Sequence, residues 1–280
     1  MSASILPEVH EGDAPPEIAA IYAGLRTAIG VPIVNLIWRH FATLPGVLPW
    51  AWETTRGAIG SATVADGSAR MVALVRKAPG AGLSAFGPAL AALPATEQAR
   101  VADVVRVYNR GNQVNLQVLT AVRPFISTGG VQAAGARPAT TIGAAAATVV
   151  ASVPPMPRME GLPDAVRAEV TALAALHDPS APVPSLYRHL ALWPDILFPL
   201  HQALAPRFAE GRIAGLRASL LGVAEESAAA LLQRLTPPGP FPAEHRDPVL
   251  RVLAVFPGKL IAEMAAIGLM LDAELARITR

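Results

Sequence analysis

The sequence predicts an all-α fold of two tandem helical-bundle repeats, which form a pseudo-dimer with a pocket between them. Apolar residues recur at spacings of three and four, as in Ile18, Ile21, Tyr22 and Leu25, which is typical of amphipathic helices. Alternating apolar segments bounded by hairpin turns, the signature of strands, are absent. Apolar residues make up 52% of the chain and aromatic residues only 5%, so the hydrophobicity comes mostly from Ala, Leu and Val, which suit helix packing.

A repeated motif supports the division into two halves. The first half contains VPIVNLIWRHFATLPGVLPW and the second APVPSLYRHLALWPDILFPL. Aligning Arg39–His40 with Arg188–His189 also pairs Trp38 with Tyr187, and further matches follow without a gap. Downstream, RVYNRGNQVNLQVLTAV corresponds to AVFPGKLIAEMAAIGLML. Ordered matches of this kind indicate internal duplication.

Helix signals and composition set the expected boundaries. Pro16 is placed to open the first helix and Gly30 to end it, and Pro163 is placed to open the counterpart of that helix in the second half. Between the halves the chain is rich in Pro, Gly and Ala and has few charges, which predicts a linker. We therefore expect a first repeat at residues 1–126, a protease-sensitive linker at 127–162 and a second repeat at 163–280.

Composition excludes several classes of function. The 23 Lys and Arg nearly balance the 21 Asp and Glu without a basic run, so nucleic-acid binding is not expected. The chain has no Cys, hence no disulfide and no thiolate nucleophile. Charges interrupt the apolar segment 249–271, and no signal peptide pattern opens the chain. We expect a soluble cytoplasmic protein that neither enters a membrane nor requires a cofactor or metal ion, and the sequence leaves a homodimer open.

An unusual polar segment, YNRGNQVNL at residues 108–116, lies within otherwise apolar helical sequence. Asn109, Asn112 and Leu116 fall on one helical face. A buried Asn needs a hydrogen-bond partner, because leaving it unpaired costs about 1–3 kcal/mol. The segment is therefore either a structural network between helices or the polar wall of a pocket, and the sequence leaves both open.

The paired Arg and His residues invite a catalytic interpretation, since His titrates near neutrality. Their occurrence at the same place in both halves favours a duplicated structural role, such as binding carbonyl groups or bridging helices. The pair His177–Asp178 precedes a Pro-rich loop, where it is either a helix cap or part of a site.

These segments together resemble the group I 2-haloacid dehalogenases. VPIVNLIWRHFATLPGVLPWAWE, YNRGNQVNL and SLYRHLALWP occur in the same order and at similar spacing, and the resemblance spans roughly residues 16–271. It implies an all-helical pseudo-dimer with an active site between the repeats, which removes halide from short 2-haloalkanoic acids without a cofactor. In that family an Asp activates a water that attacks the halogen-bearing carbon directly, and Asn112 matches the Asn beside that water.

The sequence departs from the family at the general base. Ser185 matches the family's Ser, but Leu186 stands where the Asp is expected, and leucine cannot accept a proton. One hypothesis is a hydrolase with a displaced base, Asp178 or His177. The alternative is an inactive homologue that binds a small apolar or carboxylic ligand. A third is another enzyme on the related carboxymuconolactone decarboxylase scaffold, although its thiol-dependent branch needs the missing Cys. The predicted ligand-binding residues are Ile33, Leu36, Pro184, Ser185 and Phe256.

Overall fold

The computed structural model describes residues 6–79, 82–83, 85–129, 152–179 and 182–278. Within these ranges the chain forms helices and connecting segments and contains no strand. The predicted all-α fold is confirmed.

The first half of the chain consists of helices joined by short connecting segments. These helices are α1 (Pro16–Ile29), α2 (Leu36–Phe41), α3 (Val47–Ile59), α4 (Ala62–Lys77), α5 (Phe86–Ala91) and the long α6 (Ala95–Ser127), with a 3₁₀ turn at Glu11–Asp13 ahead of them.

The second half follows a comparable order. It contains α7 (Asp164–Ala175), α8 (Ser185–Leu190), α9 (Pro194–Ala209), α10 (Arg212–Leu231), α11 (Arg246–Val255), a π-helical turn (Phe256–Ile261) and α12 (Ala262–Ile278), with 3₁₀ turns at Met159–Gly161, Leu232–Arg234 and Ala243–His245. A shared order of helices is what duplication predicts, and the tandem repeat itself stays a prediction.

The cap signals act as the sequence predicts. Helix α1 has prolines at its start and ends at Gly30, whose φ of 77° is left-handed and whose N–H bonds the Arg26 carbonyl at 2.8 Å. A glycine adopts this conformation without strain. Pro163 occupies the position just before α7, which begins at Asp164.

Helices α6, α10 and α12 form the centre of the fold, where helices from the two predicted halves pack on each other. The stretch Ala243–Ile278 has the length and hydropathy of a membrane span, but 72% of its apolar window is buried inside the structure. In this fold it is a core element. The predicted domain boundaries stay predictions, and the halves share one apolar core.

A glycine in α4 lets a polar side chain of α6 pack closely against α4. A Cβ added at Gly67 in α4 would lie 2.0 Å from Gln117 Oε1 and 2.5 Å from Ser227 Oγ. Gln117 Nε2 donates to the Val64 carbonyl at 3.1 Å, so this side chain of α6 is held against α4. The close approach requires a residue without a side chain at position 67.

This arrangement predicts opposite effects for two Gly→Ala substitutions. In an exposed helix interior Ala is favoured over Gly by about 1 kcal/mol, and Gly222 in α10 has open space around its Cβ position. Gly222→Ala is expected to stabilise the protein by about 0.5–1 kcal/mol. Gly67→Ala is expected to destabilise it by about 1–3 kcal/mol, as overpacking does. Urea unfolding followed by circular dichroism checks both, and stabilisation by Gly67→Ala would contradict the packing described.

Two extended segments are anchored by the repeated Arg-His pairs. His40 Nδ1 bonds the Pro7 carbonyl at 2.8 Å, and His189 Nε2 bonds the Pro154 carbonyl at 2.8 Å. The predicted carbonyl-binding role of both histidines is confirmed. Residues 152–162, the end of the predicted linker, are therefore tied to α8, while residues 130–151 lie outside the described part of the chain.

Candidate functional site

A small cavity lies where α2, α6, α8 and the π turn meet. Its volume is about 50 Å³, and it is lined by Asn35, Leu36, Ile37, Tyr108, Asn112, Asn115, Pro184, Ser185, Leu186, Phe256, Leu260, Ile261 and Met264. An apolar cavity of about 150 Å³ accommodates benzene. This inner cavity therefore suits an occupant of only a few non-hydrogen atoms.

The starts of two short helices form facing parts of the lining. Leu36 and Ile37 begin α2, and Ser185 and Leu186 begin α8. They occupy matching positions in the predicted repeat. The first N–H groups of any helix have no acceptor within that helix, so each of these helix starts brings backbone donors to this region.

The π turn supplies much of the apolar wall. It spans Phe256–Ile261 and contains Pro257, which has no N–H to continue a regular α-helical ladder. Phe256, Leu260 and Ile261 all line the cavity. A π turn within a helix is often found at functional sites. Here it positions the side chains from the second half of the chain that line the inner cavity.

The polar wall comes from one face of α6. Asn115 Oδ1 accepts a hydrogen bond from Trp38 Nε1 at 2.9 Å, which fixes the orientation of its amide. Its Nδ2 is buried and has no partner among the described residues. Asn112, one turn away, also lines the cavity. An unpaired buried donor is costly, and a polar ligand in the cavity would satisfy it.

The segment 108–116 combines the two roles that the sequence left open. Asn109 Nδ2 donates to the Gly268 carbonyl at 3.0 Å, bridging α6 to α12. Gly111 lets Asn35 pack against α6, since a Cβ there would lie 2.6 Å from Asn35 Oδ1. Asn109 is thus structural, whereas Asn112 and Asn115 face the inner cavity.

The described lining contains no general base. None of its residues is Asp, Glu or His, and Leu186, which is 1% exposed, lies in the lining at the position of the expected Asp. Tyr108 is the only ionisable side chain among these lining residues. Burial raises the pKa of Tyr108 far above its usual value, so its phenol stays protonated and neutral.

The two residues predicted as substitute bases lie outside this lining. Asp178 is exposed at the surface. His177 is buried, and its Nδ1 bonds Glu263 at 2.8 Å while its Nε2 accepts the Tyr187 hydroxyl at 2.9 Å. Both ring nitrogens of His177 are engaged. The structure gives neither residue a position from which to deprotonate a water in the inner cavity.

The residues predicted to bind ligand are only partly brought together. Leu36, Asn112, Pro184, Ser185, Leu186 and Phe256 share the lining of the inner cavity. Ile33 does not line the inner cavity. It lines a neighbouring outer cavity of about 350 Å³, together with Arg39, Tyr108 and His189.

Sequence reasoning missed the lining roles of Asn115, Tyr108 and Met264. Asn115 and Tyr108 lie three and four residues from Asn112, so helical periodicity could have found them. Met264 lies in the largely apolar segment 249–271, and nothing in the sequence distinguished it from core.

A buried charged network lies behind the cavity wall. Glu263 Oε1 accepts from Arg217 at 2.6 Å and from Lys259 at 3.2 Å, and Glu263 Oε2 bonds His177 at 2.8 Å. Burial would raise the pKa of Glu263, but hydrogen bonds to His177 and Lys259 outweigh it and the pKa is lowered. Burial lowers the pKa of His177 despite its bond to Glu263. The network therefore holds a carboxylate beside a neutral imidazole.

No group of three or more His, Asp or Glu residues in the described ranges could hold a metal ion. The inner cavity thus offers amide, hydroxyl and backbone groups within an apolar wall. Such groups can bind and orient a small polar molecule.

Three solved structures with this architecture are D-2-haloacid dehalogenases. A D-2-haloacid dehalogenase mutant matches with a TM-score of 0.74 and 18% identity, over 98% of this chain and 97% of that one. A mutant in complex with D-2-CPA matches with a TM-score of 0.72 and 17% identity, covering 98% and 97%. The enzyme in complex with L-LA matches with a TM-score of 0.70 and 17% identity, covering 98% of each chain.

The chain has the fold of the D-2-haloacid dehalogenases. The predicted structural resemblance to haloacid dehalogenases is thereby confirmed, and at this identity the likeness establishes the fold alone. No family model and no curated protein matches the sequence.

Proposed function

We propose that this dehalogenase-like protein binds a short carboxylic acid in the inner cavity and does not hydrolyse a carbon–halogen bond. The observation that carries the proposal is the described lining, in which Leu186 occupies the place of the base and no Asp, Glu or His is present. The cavity is retained while the group that would activate water is missing.

The size and donors of the cavity favour a short acid. Its volume of about 50 Å³ admits few non-hydrogen atoms, and the unpaired Nδ2 of Asn115 can donate to a carboxylate oxygen. Asn112 and Ser185 add neutral donors. Two of the similar solved structures carry small molecules, D-2-CPA and L-LA.

The chemistry of water explains why no turnover is expected. Free water has a pKa of about 15.7 and is a poor nucleophile at neutral pH unless a base takes its proton. Asn112 can orient a water, but an amide cannot remove the proton. The neutral Tyr108 phenol, whose pKa is raised by burial, is a hydrogen-bond donor rather than a base.

Halide release and ligand binding test the two parts of the proposal separately. Wild-type protein incubated with each enantiomer of 2-chloropropionate is expected to release no chloride above the buffer rate, while calorimetry with propionate detects binding. Turnover in the ordinary range of enzymes, about 1–10³ per second, would refute the inactive assignment.

A matched variant identifies the binding site. Asn112→Leu keeps a similar volume and removes the amide donor, and a hydrogen bond to a charged group contributes about 1.5–3 kcal/mol. Propionate affinity is therefore expected to fall about tenfold or more. Unchanged affinity in this variant would place the acid elsewhere.

A further inference from the structure

Tyr108 separates two cavities. It lines the inner cavity of about 50 Å³ and also a larger outer cavity of about 350 Å³. The outer cavity lies under the extended segment 152–156 and is also bounded by Pro32, Ile33 and His189. Tyr108 is the one residue common to these two linings.

Its ring is held in place from both ends. The backbone belongs to the long helix α6, and the hydroxyl donates to His189 Nδ1 at 3.3 Å. His189 Nε2 in turn donates to the Pro154 carbonyl at 2.8 Å, and the two rings pack edge to face with centroids 5.9 Å apart. Tyr108 is 4% exposed, so its side chain is buried where the two linings meet.

The protonation states of Tyr108 and His189 are compatible with the hydrogen bond between them. Burial lowers the pKa of His189 and raises that of Tyr108, so both groups are neutral near pH 7. A neutral imidazole that donates through Nε2 has Nδ1 free to accept. The Tyr108 hydroxyl can therefore remain the donor in this bond.

We propose that the Tyr108 ring sets the maximum chain length of the acid that the inner cavity accepts. This inference rests on the function proposed above. The outer cavity is lined by the charged Glu11 and Arg39 as well as by the apolar Pro32, Ile33 and Val153, and its apolar part can receive an alkyl tail. With the ring present, the acid is confined to the small inner cavity; without it, a longer chain extends into the outer one.

The test compares straight-chain acids in the wild type and in Tyr108→Ala. Propionate, butanoate, hexanoate and octanoate are titrated by calorimetry at one pH and salt concentration. In the wild type, affinity is expected to fall sharply at hexanoate. In Tyr108→Ala it is expected to rise with length, by roughly fourfold for each methylene buried, which corresponds to about 0.8 kcal/mol.

Three further variants make the result specific. Tyr108→Phe keeps the ring and loses the hydroxyl, so the wild-type length limit is expected to persist. Tyr22→Ala removes another buried tyrosine, which lines neither cavity, and controls for general loosening. Tyr108→Val is a second truncation in case the alanine variant does not fold.

Each outcome decides the inference. Binding of the longer acids by the Tyr108 truncations alone supports the inference. If short acids bind and the length limit is unmoved in those truncations, the role of Tyr108 is refuted while the proposed function stands. If no acid binds any folded variant, the proposed function fails and this inference fails with it.

Discussion

Leu186→Asp is expected to raise chloride release from 2-chloropropionate by about 10²–10⁴-fold, the usual contribution of a positioned general base. The substitution places a carboxylate at the start of α8, in the same cavity lining as Asn112. Asn112 can orient a water that the new carboxylate deprotonates. Ion chromatography of chloride, with each enantiomer measured separately, provides the readout.

The surroundings of position 186 limit this gain. Leu186 is 1% exposed, and the adjacent wall is apolar, so an ionised carboxylate there is poorly solvated. Burial raises the pKa of such a carboxyl group. Activity of Leu186→Asp is therefore expected to increase with pH until the new carboxyl is ionised, and to remain below that of a site built around a native base.

Leu186→Asn is the matched control, because it has nearly the shape of Asp and cannot act as a base. It is expected to be as inactive as the wild type. Equal inactivity of Leu186→Asp, with the fold intact by circular dichroism, would show that the cavity differs from a dehalogenase site in more than its base. Equal activity of the Asn variant would mean that residue 186 does not take the proton.

Much of the fold follows from local signals in the sequence. Periodicity predicts the helices, and Gly30 predicts the end of α1 because a left-handed cap favours glycine. The Arg-His pairs predict structural anchors, and the histidine contacts with Pro7 and Pro154 explain why two such pairs are present.

Other features depend on contacts that local patterns do not encode. Ile33 lies in the loop between α1 and α2, where no helical period fixes the direction of a side chain, and it lines the outer cavity. A Pro-Gly pair in a helical pattern indicates a break, yet Pro257 and Gly258 lie inside a π turn that continues into α12.

The partner of His177 could not be predicted for a similar reason. His177 and Glu263 are 86 residues apart in sequence, and the sequence around His177 suggests only a cap or a site. Their contact arises from the packing of the loop after α7 against α12. Long-range pairs of this kind appear only once the helices are assembled.

Glu263→Gln is expected to lower the free energy of unfolding by about 1–3 kcal/mol, between the values for an exposed and a fully buried ion pair, because the Arg217 and Lys259 side chains are 29% and 36% exposed. The Glu263 side chain is 3% exposed and contacts Arg217, Lys259 and His177. The variant keeps the size of the side chain but leaves two cations without their carboxylate. Glu226→Gln, in an exposed pair with Arg70, is the matched control and should cost about 0–1 kcal/mol.

The pH dependence of stability tests the same network. The lowered pKa of Glu263 stabilises the fold above the unfolded value of about 4.3, and this contribution is lost as pH falls through the folded pKa. The lowered pKa of His177 acts in the same direction, because below about pH 6.5 the unfolded chain gains a proton that the folded chain does not. Urea midpoints of the wild type are therefore expected to fall below about pH 6.5 through His177 and to fall further below about pH 4.3 through Glu263, so the measurement runs from pH 7 to about pH 3. In Glu263→Gln, the part of this decline that comes from the Glu263 carboxylate should be absent. If Glu263→Gln and Glu226→Gln have equal urea midpoints at pH 7, the network around Glu263 does not stabilise the fold.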